Sequence, residues 1–260
     1  MEGQWTLVAG IIYSSCLANF NLCLMNTLNV RGVGDKFITV LKDIFFPAQC
    51  LGCGSEGEFV CKECFKTLDC SGVFCCPICH IETRGGGYCV ACKQSYIDRH
   101  VAIAFYKESE LVGKILHAFK YQYIEDIKNI LEKIIKDFLD KYNVEVDIII
   151  PVPLHKRRYV ERGFNQSDII AGIVGNMLDI PVENILKRDR HTKQQAKLKR
   201  NQRLENLKDA FILKKDVYVR GKKILLIDDV FTTGSTIQEC AKVFKKAGVK
   251  EVVGFSVARG

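Results

Sequence analysis

The sequence KKILLIDDVFTTGSTIQECAKVFKKAG, residues 222–248, places two adjacent carboxylates at the end of an apolar run and follows them with hydroxyl side chains and a glycine. The apolar residues 224–227 predict a buried strand, and residues 235–247 predict a helix. In open α/β sheets, ligands bind at the carboxyl ends of the strands, where Asp228 and Asp229 would lie. The stretch therefore predicts a strand, a ligand-binding loop and a helix.

The loop that follows the acids has the composition of a phosphate site. Hydroxyl groups and the amides of a helix N-terminus donate hydrogen bonds to phosphate, and a glycine lets the backbone approach it closely. Paired carboxylates accept hydrogen bonds from neutral hydroxyls, so a ribose 5-phosphate matches both features. The predicted binding residues are Asp228, Asp229, Thr232, Thr233, Gly234, Ser235 and Thr236.

Two other interpretations of this loop are less satisfactory. A helix N-cap needs one hydroxyl, from Ser235 or Thr236, and leaves the paired acids and the other hydroxyls unexplained. A Walker P-loop requires a lysine after the last glycine of its pattern, and Gly234 is followed by Ser235. We therefore favour a sugar-phosphate site.

From residue 100 onward, apolar runs alternate with helical patterns. Further strands are predicted at residues 100–106, 146–154 and 251–258, and helices at 109–119, 124–141, 164–178 and 235–247. Strand–helix–strand alternation is typical of an α/β fold, in which a parallel sheet carries helices on both faces.

Ten of the thirteen cysteines lie between Cys50 and Cys92, in a segment with few apolar residues from which to build a core. They include four Cys-x2-Cys pairs, and two thiolates at this spacing can grip one tetrahedral Zn²⁺. Four thiolates per ion leave no coordination position for water, so the two predicted sites are structural, and their binding energy replaces the missing core. The predicted ligands are Cys50, Cys53, Cys61, Cys64, Cys76, Cys79, Cys89 and Cys92.

The spacing alone leaves the pairing of these ligands open. Consecutive pairs can share a metal, which would give two small ribbons. A cross-braced arrangement, in which the first pair shares its metal with the third, is the less favoured alternative. A redox role for the Cys-x2-Cys pairs is disfavoured because the strand context of thioredoxin is missing.

The first 30 residues are uncharged from Trp5 to Leu28, a pattern that a membrane span or a signal peptide could also show. Serine and asparagine side chains interrupt this stretch, and the only charge before it is acidic. We predict no stable membrane insertion. We expect translation to start at Met25 and residues 1–34 to be a non-native or disordered leader, with a helix at 35–46.

Positive charge is concentrated in one part of the chain. The formal net charge is +8, and residues 151–215 hold 15 Lys and Arg against 7 Asp and Glu. A segment of this kind suits phosphates or a nucleic-acid backbone, although a solvated basic surface has the same composition.

Several motifs carry a family resemblance. ILLIDDVFTTGST resembles the phosphoribosyl pyrophosphate (PRPP) signature of type I phosphoribosyltransferases. PVPLHKRRYVERGFNQS (151–167), RHTKQQAKLKRNQRLENLKDAF (190–211) and the cysteine-rich front resemble the ComF/GntX-type competence proteins in order and spacing. One departure is Lys193-Gln194-Gln195, where that family more often has proline before the glutamine. The resemblance implies a helix plus double zinc ribbon at 35–95 and a type I phosphoribosyltransferase-like domain at 96–260.

The resemblance also implies a chemistry. PRPP would bind with Mg²⁺, and residues 190–200 would form a flap over the site. A basic loop and the flap would neutralise the pyrophosphate through Lys156, Arg157, Arg158, Arg162 and Arg190.

Three functions follow from the resemblance and remain in competition. The first is a cytoplasmic competence factor that handles single-stranded DNA beside partners such as a DNA-uptake helicase, which could hold it peripherally at the inner face of the membrane. The second is a metabolic phosphoribosyltransferase with an unidentified acceptor. The third is a regulator that senses PRPP without turnover. The fold alone does not choose among them.

Overall fold

The computed structural model describes residues 47–92, 95–121, 124–189 and 207–260. The predicted leader at 1–34, the helix at 35–46, Arg190 and the flap at 190–200 lie outside these ranges. From Gln49 to Gly260 the chain forms one compact unit.

The central element is a five-stranded α/β sheet that follows the predicted pattern. In the described residues the strands are β1 (Val73–Phe74), β2 (Arg99–Phe105), β3 (Ile148–Pro151), β4 (Leu186–Arg188), β5 (Phe211–Leu213), β6 (Lys223–Phe231) and β7 (Glu251–Arg259). The sheet has the order β1-β2-β7-β6-β3. Its strands are parallel except for β1, which pairs antiparallel with β2, and β4 and β5 form a separate antiparallel pair.

The described helices are α1 (Lys62–Lys66), α2 (Leu111–Tyr121), α3 (Ile124–Leu139), α4 (Lys156–Arg162), α5 (Gln166–Leu178) and α6 (Ser235–Lys246). Helices cover both faces of this sheet, as predicted: α2, α3 and α5 contribute to the core on one face, and α6 contributes to the core on the other. None of the helices in the described ranges has the length and hydropathy that crossing a bilayer requires.

The apolar run of β6 explains how the two faces are built. Leu225 and Ile227 pack into one core cluster with residues of α2, α3 and α5. Ile224 and Leu226 point the other way, into a second cluster with residues of α6 and the β4–β5 pair. Successive side chains of a strand alternate between faces, so a strand covered on both sides is a continuous apolar run.

The basic segment after β3 differs from its prediction. Residues 156–162 form helix α4 rather than a loop. The helix begins because the His155 side chain accepts a hydrogen bond from the amide of Arg157, and it ends at Gly163, which has φ of 78°. Its seven residues carry little apolar periodicity, so the helix depends on these two ends.

The cysteine-rich segment is built onto the sheet. β1 forms the edge next to β2, with Val73 opposite Ala102. The amide of Gly72 also donates a hydrogen bond to the carbonyl of Ile103 at 3.1 Å. Val60 is buried in the first core cluster, and the Lys114 ammonium donates to the carbonyl of Leu51 at 3.0 Å. The segment therefore shares hydrogen bonds and core with the α/β part of the chain.

Candidate ligand-binding cleft and cysteine clusters

A cleft opens at the carboxyl ends of β3 and β6, between the N-termini of α5 and α6. Its polar lining side chains include Lys120, Arg158, Arg162, Asn165, Gln166, Ser167, Arg188, Asp228, Asp229, Thr232, Thr233, Ser235 and Thr236. This position is where doubly wound sheets bind ligands. All seven residues predicted from the loop sequence line the cleft.

Each of the two acids accepts hydrogen bonds from the protein at its Oδ1 atom. Oδ1 of Asp228 accepts from the Asp229 amide at 3.0 Å and from Oγ of Ser167 at 3.3 Å. Oδ1 of Asp229 accepts from the amide of Val230 at 2.7 Å. In each carboxylate these bonds occupy Oδ1.

Lys120, near the end of α2, pairs with one of the two acids and so separates their pKa values. Its Nζ lies 2.7 Å from Oδ2 of Asp229, and the two side chains are 21% and 17% exposed. Burial alone would raise the pKa of Asp229, but the Lys120 ammonium outweighs it and holds that pKa below its ordinary value. Burial, and then the charge of Asp229, raise the pKa of Asp228 to about 7. The pKa values of the two neighbouring acids are therefore shifted in opposite directions.

Residues 232–236, which we call the hydroxyl-rich loop, contact the aromatic ring of Phe231. Gly234 has φ of 72°, and a Cβ on it would lie 2.4 Å from Cζ of Phe231, so a larger residue cannot occupy this position without displacing the ring. Gly234 is also the N-cap of α6, and the amide of Ser235, the first residue of that helix, donates to Oγ1 of Thr233 at 3.5 Å. The hydroxyls of Thr233 and Ser235 lie 2.8 Å apart. The N-cap interpretation of Ser235 and Thr236 is therefore wrong, and the first turn of α6 faces the cleft.

The predicted basic residues divide between the cleft and the surface. Arg158 and Arg162 line the cleft. Lys156 and Arg157 do not, and Nε of Arg157 pairs instead with Oε1 of Glu161 at 3.0 Å on the exposed face of α4. Arg190 lies outside the described residues.

Five of the polar lining residues were not predicted from the sequence. Lys120 and Arg188 come from α2 and the end of β4, and neither lies in a motif. Asn165, Gln166 and Ser167 lie in the quoted motif RGFNQS, but the motif assigns them no role. Residue pairs brought together only by the tertiary fold, such as Lys120 and Asp229, leave no local signal in a single sequence.

Gln166 carries a buried donor in the cleft wall. Its side-chain Oε1 accepts from Nη1 of Arg162 at 3.0 Å, and since a guanidinium can only donate, this bond fixes which end of the amide is oxygen. The residue is 2% exposed, and Nε2 has no hydrogen-bond acceptor among the described residues. A buried donor without a partner costs about 1–3 kcal/mol, which an anionic ligand could offset.

The eight predicted cysteine ligands form two clusters of four, and within each cluster the Sγ atoms all lie within 4.8 Å of one another. We call Cys50, Cys53, Cys61 and Cys64 the first cluster, and Cys76, Cys79, Cys89 and Cys92 the second cluster. The amide of Cys61 approaches Sγ of Cys50 at 3.4 Å, and the amide of Cys64 approaches Sγ of Cys61 at 3.5 Å. Both donor sets fit a tetrahedral metal ion, in sequential rather than cross-braced pairing.

Comparison with known proteins identifies the family. Residues 120–258 match the family model described as phosphoribosyl transferase domain. Competence protein F of Haemophilus influenzae is 32% identical over 223 residues, which cover 82% of this chain and 85% of that protein. This chain belongs to the ComF/GntX-type family of competence proteins.

Two further relatives in this family differ in how much of the chain they match. Competence protein ComFC of Streptococcus pneumoniae is 31% identical over 209 residues, 79% of this chain and 90% of that protein. DNA utilization protein YhgH of Escherichia coli O157:H7 is 38% identical over 114 residues, 44% of this chain and 49% of that protein. The phosphoribosyl transferase match of this ComF-type chain contains Lys120 and both acids of the cleft.

Proposed function

We propose that the cleft binds PRPP with Mg²⁺, in a protein that handles single-stranded DNA during DNA uptake. The observation that carries the proposal is the meeting, in one cleft, of the carboxylates of Asp228 and Asp229 with the hydroxyl-bearing first turn of α6, where Lys120 pairs with Asp229. The relatives named for competence and DNA utilization favour the DNA role over a purely metabolic one.

Each part of PRPP would have partners in the cleft. The amides and hydroxyls of residues 232–236 would hold the 5-phosphate. Asp228 and Asp229 would accept from the ribose hydroxyls. Arg158, Arg162 and Arg188 would face the pyrophosphate, which guanidinium groups bind in a bidentate fashion. Mg²⁺, when bound, would neutralise part of the pyrophosphate charge.

The two cysteine clusters would hold structural Zn²⁺. Four thiolates at Cys-x2-Cys spacing are the donor set that zinc prefers, and they leave no position open for catalysis. The metal's role would be to order a segment that has little core of its own.

PRPP binding is expected to tighten as the pH rises from about 6 to about 8, because ionised Asp228 accepts a ribose hydroxyl more strongly than protonated Asp228 does. Its pKa of about 7 results from burial and from Asp229, with Lys120 and Ser167 opposing the shift. Each unit of pH below the pKa then costs up to about tenfold in affinity. Calorimetric titration, with and without Mg²⁺, measures this dependence.

Asp228→Asn is the control, because PRPP has its own phosphate titration near pH 6. This variant should keep only the ligand's pH dependence, and an unchanged profile would contradict the assignment of Asp228. Absence of binding heat at every pH would exclude the PRPP proposal. Pyrophosphate release on addition of a candidate acceptor, in the same sample, would instead favour the metabolic transferase.

Helix α4 is the proposed contact for single-stranded DNA. It exposes Arg157 and Lys156 to solvent, and Tyr159, one helical turn after Lys156, is 50% exposed. Phe164, by contrast, packs on the core with its ring centroid 5.8 Å from that of Phe119, so it is not available for stacking. An aromatic ring between basic side chains is how single strands are bound without sequence preference.

DNA binding is expected to weaken steeply with salt, and Arg157→Ala should reduce the slope of log K against log salt by about 0.7. Tyr159→Ala should weaken binding by about 5- to 100-fold through lost stacking. Tyr218→Ala, which removes an exposed tyrosine from a different segment, is the matched control. Fluorescence anisotropy with a labelled oligonucleotide makes the measurement, and salt-independent or absent binding would refute the DNA role.

A further inference from the structure

The ring of Phe231 lies between the hydroxyl-rich loop and the second cysteine cluster. On one side it meets Gly234, where a Cβ atom would lie only 2.4 Å from Cζ of the ring. On the other it meets His80, the residue after Cys79, with ring centroids 6.1 Å apart. Phe231 is 1% exposed, so its ring is confined from all sides.

Arg259, at the end of β7, contacts both the Phe231 ring and the second cluster. Its Nη2 donates to the carbonyl of Cys76 at 2.8 Å, and its Nη1 donates to the carbonyl of Cys75 at 3.4 Å. Its guanidinium carbon lies 4.6 Å from the centroid of the Phe231 ring. A buried cation over an aromatic face is a favourable contact that also fixes the ring's position. Arg259 therefore contacts a cluster residue and the aromatic ring at the same time.

His100, from β2, completes the connection. Its ring centroid lies 3.8 Å from that of Phe231, and Arg259 Nη1 lies 3.2 Å from its Nδ1. Since arginine can only donate, Nδ1 is the acceptor, and the Nε2–H then faces Oγ of Ser256 at 3.3 Å. A Cβ on Gly86, in the segment between Cys79 and Cys89, would lie 2.1 Å from the carbonyl oxygen of His100. The segment between Cys79 and Cys89 therefore packs on His100.

We propose that the second cysteine cluster positions the hydroxyl-rich loop through Arg259, His100 and Phe231, so that metal loss at this cluster loosens the loop. The three are positioning residues, because each acts through its neighbour rather than on a ligand. The consequence for PRPP affinity rests on the proposed function, whereas the ordering of the loop does not.

The first cluster provides a matched comparison within the same chain. It packs on a different part of the fold, where Val60 joins the core cluster beneath α2 and α3 and Lys114 binds the carbonyl of Leu51. Both clusters have the same four-thiolate chemistry, and each has one exposed second cysteine, Cys53 or Cys79. Metal loss at the first cluster should leave the hydroxyl-rich loop unchanged.

Hydrogen–deuterium exchange of the intact chain tests the proposal without any ligand. Cys79→Ser/Cys89→Ser and Cys53→Ser/Cys61→Ser each leave two thiolates in one cluster, and native mass spectrometry confirms the loss of one metal from each. The first pair of changes should speed exchange in the peptide 231–241 about tenfold, as expected for a typical coupling between sites. The second pair should leave that peptide unchanged. The proposal would be overturned if the two double variants changed exchange in this peptide equally, or if Cys79→Ser/Cys89→Ser did not change it.

Loss of the second metal could unfold more of the chain than the hydroxyl-rich loop. Phe231→Leu tests the connection without removing a metal. With both metals bound, this variant should show the same faster exchange at 231–241 and unchanged exchange at 130–138 in α3. An unaltered loop in Phe231→Leu would also overturn the proposal. In the same proteins, PRPP should bind about tenfold more weakly to the second-cluster and Phe231 variants than to the first-cluster variant. If PRPP fails to bind the native chain, the proposed function fails, while the exchange result still decides the role of the second cluster.

Discussion

Replacing Asp229 with Asn is expected to weaken PRPP binding by about 100-fold or more, because a hydrogen bond to a charged acceptor is worth about 1.5–3 kcal/mol and a diol can make two. Asp229 is the acid that stays ionised, since the Lys120 ammonium 2.7 Å away holds its pKa low. The amide keeps the size of the side chain and removes its charge. Calorimetric titration at neutral pH with Mg²⁺ measures the loss.

Two companion variants separate binding from folding. Asp229→Asn leaves the largely buried Lys120 without its carboxylate partner, which is destabilising in itself. The double variant Asp229→Asn/Lys120→Met removes both charges, and it should recover thermal stability without recovering affinity. Asp209→Asn removes an acid that pairs with Lys242 away from the cleft, and it should bind PRPP as the native chain does. Binding within about threefold of native in Asp229→Asn would contradict the assignment of this acid.

Removal of the metals is expected to lower the melting temperature by at least about 10 °C, since 1 kcal/mol shifts a chain of this size by about 2–4 °C. Structural zinc sites contribute about 10–16 kcal/mol of apparent binding energy that is also folding energy. β1 belongs to the sheet edge, and Arg259 binds the carbonyls of Cys75 and Cys76. Loss of order in the cysteine-rich segment should therefore also destabilise the sheet.

The metal experiment has a chemical readout beside the thermal one. Treatment with a zinc-selective chelator should release two zinc ions per chain and expose the eight clustered thiols to a thiol reagent. Restoring zinc should restore the melting temperature, whereas adding Mg²⁺ should not. A chain that contains no zinc as purified and melts at the same temperature after chelation would contradict the structural role of both clusters.

The elements that sequence alone could predict are those whose signal is local. Residues 224–227 have the composition of a buried strand. The acids, hydroxyls and glycine that follow them predict a ligand-binding loop at the end of that strand. The Cys-x2-Cys spacing likewise carries its chemistry within four residues. For these features, local pattern and tertiary environment agree, and the structure contains the predicted strand, loop, helix and clusters.

The features that sequence could not predict depend on distant residues. Lys120 reaches Asp229 across more than a hundred positions, and its own helix gives no reason to single it out. Arg259 and His100 lie in apolar strands, where a lone polar residue has many interpretations. The sequence of α4 predicts a loop because its charged residues lack apolar periodicity, whereas the helix depends on His155 and Gly163 at its ends.

The most direct test of the PRPP site is a crystal structure of the chain grown or soaked with PRPP and Mg²⁺. The 5-phosphate should lie against the backbone amides and hydroxyls of residues 232–236, and the ribose hydroxyls should lie within hydrogen-bond distance of Asp228 and Asp229. An empty cleft at saturating PRPP, or a ligand bound elsewhere with these two carboxylates untouched, would contradict the account.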